Sequence, residues 1–205
     1  MSVTETSVSA EPQSAPARSR EATRRRLLEA GTALFAQSGL HGATSAQVAR
    51  RAGVATGTFY LHFRDKQALF RAIVFDALAR LRERQERAGA AHARGSRAEL
   101  RARTAELLAF AAEESDLIRV VFGRGGESAT LGEEVLDAIV PGIARRLGER
   151  RAAGETPSDL HPAVAAQALA AMTVRVIAWW IDHRDEASAE QVADTLLRMH
   201  PASTT

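Results

Sequence analysis

The chain has 205 residues, 45% hydrophobic and 25% charged, a balance that suits one large or two small folded units and excludes disorder over most of the length. It has no cysteine, which removes disulfides, thiolate metal sites and cysteine nucleophiles from consideration together. The net charge of +2 hides an asymmetry: residues 18–66 carry nine bases against three acids, the concentration of positive charge that a nucleic-acid face requires.

Residues 1–17, rich in Ser, Thr, Ala and Pro and without periodicity, read as a disordered tail. Beyond them apolar residues recur at three and four, and the spacing predicts helices over 20–38, 45–52, 56–62, 66–88, 97–113, 116–123, 131–152, 161–184 and 188–199. Three starts have the capping-box form, Thr44 with Gln47, Ser96 with Glu99 and Ser188 with Gln191. Gly39, Gly53, Gly89 and Gly95 follow apolar runs and read as helix stops. Pro141 and Gly142 are expected to kink or split the seventh helix, and residues 123–130 read as a loop. The longest apolar stretch, Pro162 to Ile181, is interrupted by Gln167, Thr173 and Arg175 and is mostly alanine, so no membrane span is expected, nor does the amino terminus read as an export signal.

The most restrictive pattern lies between Thr44 and His62. Ala49 sits where a second helix, crossing steeply, would press on the first, and Gly53 can take the left-handed conformation of a tight interhelical turn. Val48, Ala52, Val54 and Phe59 supply the wedge of core that locks two such helices, which is the spacing of a helix-turn-helix. The second helix then offers small hydroxyls, a phenol and an imidazole away from Phe59, and its amino-terminal end could enter a major groove unhindered.

The run from Thr44 to Leu69, above all Gly57-Thr58-Phe59-Tyr60-Leu61-His62-Phe63 followed by Asp65-Lys66, resembles the TetR family of transcriptional regulators, and Leu34 to Ala43 continues the likeness. The resemblance covers about 55 residues. It implies a homodimer that binds an operator through its amino-terminal domains and releases it when a small molecule enters the carboxy-terminal domain. The fold expected is all-α: a disordered tail over 1–17, a three-helix helix-turn-helix domain over 18–65, and a bundle for effector binding and dimerisation over 66–200, joined by the helix 66–88, about nine helices in all.

Residue roles follow. Thr44 and Ser45 open the first helix of the motif, where hydroxyls and free amides could hold a phosphate oxygen, although Thr44 could equally be a cap and no more. Thr56, Gly57 and Thr58 open the recognition helix, where base-edge or thymine-methyl contact fits. Tyr60, His62 and Lys66 match family positions that touch the DNA backbone; the duller alternatives are a core aromatic with a wet hydroxyl for Tyr60 and a helix-end cap for His62. One of Arg24, Arg25 and Arg26 is expected to reach a flanking phosphate.

In the second half, helices 161–184 and 188–199 are expected to form the dimer contact, because the first is too apolar to have a broad solvent face. Phe110, Arg119, Phe122, Arg175 and Trp179 are the candidates to line an effector pocket, with Arg175 needing an internal acid or a ligand carboxylate as partner. The effector is expected to be small and largely apolar. No cofactor, metal or membrane partner is implied. A helical-bundle enzyme is the rival class, and it lacks its motifs: the residues three before the six histidines are Ser38, Phe59, Gly89, Ser158, Trp180 and Leu197, so no Glu-x-x-His pair exists, and the sole lysine, Lys66, follows Asp65 instead of a phosphate-loop glycine. A regulator without an effector, or an activator, uses the same DNA contacts.

Overall fold

The computed structural model describes residues 15–122 and 129–200. Among these the chain is all-α, in nine helices: α1 (Ala15–Gly42), α2 (Ser45–Arg51), α3 (Thr56–His62), α4 (Lys66–Ala90), α5 (Arg97–Glu113), α6 (Ser115–Phe122), α7 (Ala129–Ala152), α8 (Pro162–Trp180) and α9 (Ala189–Arg198). Two compact units result, the first ending at Phe70 and the second beginning at Arg71, so the division falls inside α4.

The first unit is built on a small, fully enclosed core. Leu27, Ala30, Phe35 and Leu40 of α1 are buried with Val48 and Ala49 of α2, Phe59 of α3, and Phe63, Leu69 and Phe70. Phe35 and Phe70 meet edge to face at 5.4 Å, an arrangement favoured by the ring quadrupoles. Gly39 breaks α1 with φ +68, a conformation that costs an L side chain about 1–2 kcal/mol, and a last short turn runs on to Gly42. The carbonyls at that end need donors, and Lys66 supplies them: its Nζ lies 2.9 Å from the Leu40 oxygen and 3.3 Å from those of His41 and Ala43. Asp65 then starts α4 by accepting the Ala68 amide at 2.7 Å.

The second unit is a bundle with two connected patches of core. Leu108 and Ala111 of α5 pack with Ile177, Trp180 and Ile181 of α8 and Val192, Ala193 and Leu196 of α9. Val140 and Leu147 of α7 pack with Ala165, Ala166, Leu169 and Ala170 of α8, and Met172 borders both patches. The run of alanines on α8 lets α7 approach closely. Trp180 keeps its indole N–H satisfied on the Ala187 carbonyl at 2.9 Å. Among the described helices α8 alone is long and apolar enough to cross a membrane, and here its buried side is spent on α7, α5 and α9.

Several sequence expectations need correction. Residues 15–17, assigned to the tail, belong to α1, while residues 1–14 lie outside the described residues. Gly89 does not stop a helix, since α4 continues to Ala90 and only Gly39, Gly53, Gly95 and Gly154 among the described residues have positive φ. Pro141 does not split α7, which runs unbroken from Ala129 to Ala152. The proline is exposed, and so is Asp137, whose carbonyl loses its helical donor, so solvent can meet that group. Residues 129 and 130, read as loop, are helical, and the rest of that loop, 123–128, lies outside the described residues. The helix expected over 161–184 ends at Trp180. The capping boxes at Thr44 and Ser188 form in full, whereas at Ser96 the Glu99 carboxylate reaches one residue further back, to the Gly95 amide at 2.6 Å.

Candidate nucleic-acid interface and the carboxy-terminal pocket

Helices α2 and α3 are joined by a turn that Gly53 makes possible at φ +68. The turn is closed by backbone bonds from Gly53 to Arg50 at 3.2 Å and from Val54 to Ala49 at 3.0 Å. Val48, Ala49 and Phe59 are completely buried and Ala52 nearly so, while Val54 is half-buried. With Phe59 anchored inward, helical phase decides what α3 shows to the outside. Thr56, Gly57 and Tyr60 are exposed, Thr58 and His62 half-exposed, and Leu61, which sequence reasoning passed over, is 74% exposed.

The side chains around this face differ in what they have left to offer. The Thr44 hydroxyl is engaged inside its capping box, accepting from the Gln47 amide at 3.2 Å and donating to the Gln47 side-chain oxygen at 3.0 Å. Ser45 beside it is half-exposed. Lys66 spends its ammonium on three carbonyls at the end of α1, so its first task is to hold that end in place. Of the arginine triplet, Arg24 lies over the Phe63 ring at 5.6 Å, Arg25 is 3.9 Å from Glu29, and Arg26 donates to Thr23 at 3.4 Å. Burial, with Arg20 and Arg24 nearby and Glu21 opposing them, holds the His62 imidazole below its ordinary value of 6.5, so it is neutral at pH 7.5. The Asp65 carboxyl lies below the usual carboxylate range, first because the Ala68 amide donates to it and then because Arg64 does, at 2.9 Å. Neutral hydrogen-bond donors on a short helix flanked by arginines form a surface that can meet phosphates at its edges and base pairs at its centre.

A family model described as bacterial regulatory proteins, tetR family, matches residues 27–73, the stretch that contains this motif. Residues 27–73 are a TetR-family segment. The regulator BetI of Escherichia coli is 45% identical over 60 residues, 29% of this chain, so the chain matches under a third, 31%, of that curated relative's length. Two solved structures share the fold over nearly the whole chain. The fatty acid degradation regulator FadR of Bacillus halodurans has a TM-score of 0.74 at 18% identity, covering 93% of this chain and 97% of that one. FadR of Bacillus subtilis in complex with stearoyl-CoA has a TM-score of 0.70 at 19% identity, covering 88% and 99%.

Beyond the family-matched segment, the five residues expected around an effector do not converge. Arg119 is exposed and ion-paired, to Asp182 at 2.8 Å and Asp116 at 2.9 Å, and so ties α6 to the end of α8. Phe110 is buried beneath Arg80 and Arg84, at 5.6 and 5.4 Å from its ring. Arg84 is in turn held by Glu106 and Glu113, and Arg80 by Glu114 at 2.9 Å. Phe122 is half-buried against Gly132 at the α6–α7 junction. Trp179 stacks on His183 at 4.9 Å. Arg175 is exposed, so it makes no demand for an internal acid. A cavity of about 350 Å³ lies elsewhere, floored by Ala105, Leu108, Ala109 and Ala112 of α5, Trp180 of α8 and Ala193 of α9, with Arg101 and Glu190 at its rim. Its acid and base are already paired, Arg101 with Glu190 at 3.6 Å and with Asp194 at 2.6 Å.

Proposed function

We propose that the protein is a ligand-responsive transcriptional repressor, not an enzyme, that binds a palindromic operator as a homodimer in the cytoplasm. The observation that carries this is the exposed α3 face, set by Phe59 and the Gly53 turn within the family-matched segment. Ser45, Thr56, Gly57, Thr58, Tyr60 and His62 are the groups offered to DNA, while Thr44 acts as cap and Lys66 through the end of α1 that it holds. A dimer is supported by α8, whose outer line of Val164, Ala168, Ala171 and Arg175 is exposed along with Met199 beyond α9. Covering that line with a twin would bury it, and a twofold dimer suits an operator whose half-sites lie one DNA turn, about 34–36 Å, apart.

The effector is small and largely apolar, as suits a cavity of about 350 Å³ floored by alanines, leucine and tryptophan. The scatter of Phe110, Arg119, Phe122, Arg175 and Trp179 favours, as a second reading, a regulator that takes no effector. Selection of bound duplexes from random DNA should return a two-fold symmetric site; an unselected pool would overturn the repressor reading. Small apolar metabolites that raise the melting temperature should also release that site, and stabilisation without release would favour the effector-free reading.

A further inference from the structure

The recognition helix carries two residues that the fold itself does not explain. Gly57 is the second residue of α3, in its first turn, and has no positive φ to require a glycine. A Cβ built there would meet nothing within 4 Å, so packing does not demand the missing side chain. Leu61, four residues on, is 74% exposed, the highest exposure among the large hydrophobic residues of the chain's described part. At 100° per residue both lie opposite the fully buried Phe59, so they form the outermost line of α3, one turn apart. A backbone laid bare at one end of that line and an aliphatic side chain at the other are what a close-fitting external surface with an apolar spot would select.

We infer that Leu61 reads a thymine: with the Gly57 backbone against base edges, the Leu61 side chain packs on the C5-methyl group of a thymine about 6 Å further along the major groove. Leucine has no donor or acceptor, so the methyl group is the one feature of a base edge that it can distinguish. This inference rests on the operator-binding reading above, and its test separates the two. Duplexes carrying the selected operator are made with each thymine replaced in turn by uracil, which removes the methyl group and nothing else. Binding of the full-length chain and of Leu61→Ala is measured by fluorescence anisotropy. One symmetry-related thymine position should weaken the wild type about fourfold per half-site on replacement, the value of burying one carbon group. The same replacement should leave Leu61→Ala unchanged, and Leu61→Asn should likewise ignore it while both variants keep the wild-type melting temperature and affinity for random DNA. If every uracil replacement affects wild type and Leu61→Ala alike, Leu61 does not read a methyl group even though the protein binds its site. A chain that selects no site overturns both readings.

Discussion

His62 shows how much a single side chain on this face depends on its surroundings. Burial and the nearby Arg20 and Arg24 keep its imidazole below 6.5, and Glu21 only partly opposes them. Because the folded value lies below the unfolded one, this group costs stability as the pH falls through 6.5, and contributes no such penalty at pH 7.5. A DNA phosphate beside the ring, as proposed, would reverse the balance by favouring its charged form. Operator affinity should therefore rise as the pH is lowered from 7.5 to 6, with proton uptake visible by calorimetry in buffers of different ionisation enthalpy. In His62→Asn that rise should vanish; an identical pH slope in wild type and variant would show that no phosphate lies near the ring. Lys66 marks where reading a residue from sequence runs out. Its position in the motif and its charge were legible, but the three carbonyls it serves belong to a helix end 23 to 26 residues earlier, which only the folded turn brings to it.

At the scale of the element, the helix-turn-helix was legible because its constraints are local. A small residue at 49, a glycine at 53 and a phenylalanine at 59 lie within eleven residues, and each has one physical reason for its place. The two full capping boxes were legible for the same reason. Pro141 does not split its helix because the carbonyl it deprives of a donor, that of Asp137, lies on the exposed side, where solvent can meet it. The two glycines of the motif should respond oppositely to alanine. In Gly53→Ala the new Cβ has space, its nearest neighbour being the Arg26 guanidinium at 4.0 Å, so the whole cost is the positive φ and stability should fall by about 1–2 kcal/mol in denaturant unfolding. Gly57→Ala has both space and helical geometry and, lying in the first turn, should gain somewhat less than the about 0.5–1 kcal/mol of a helix interior while losing operator affinity. Equal effects of the two substitutions on stability would contradict the roles assigned to them.

For the whole molecule, the all-α class and the approximate helix set could be read from periodicity, but the pocket could not. Which side of a helix faces inward depends on how several helices pack, and Arg119 illustrates it: its partner Asp182 lies 63 residues away and holds it at the surface. Arg175 looked buried because α8 is apolar on nearly every side, yet alanine and valine at 164, 168 and 171 face outward with it. That exposed line predicts the assembly. Val164→Glu, which places two carboxylates together at a twofold contact, should convert a dimer into monomers in sedimentation velocity and weaken operator binding by at least about a hundredfold. The α7–α8 core beneath should be undisturbed, leaving the monomer folded. A variant that still sediments as a dimer would move the contact to another face.

On the proposed reading, two copies of α3, presented by a dimer, recognise a particular duplex. The most direct measurement is a titration of the full-length chain against the selected operator and a scrambled duplex of equal length, by anisotropy at several salt concentrations. Two chains should bind per operator, with affinity at least about a thousandfold above the scrambled duplex and a log–log decline with salt that reports the phosphate contacts. Equal affinity for the two duplexes, or no binding to either in dilute salt, would contradict it.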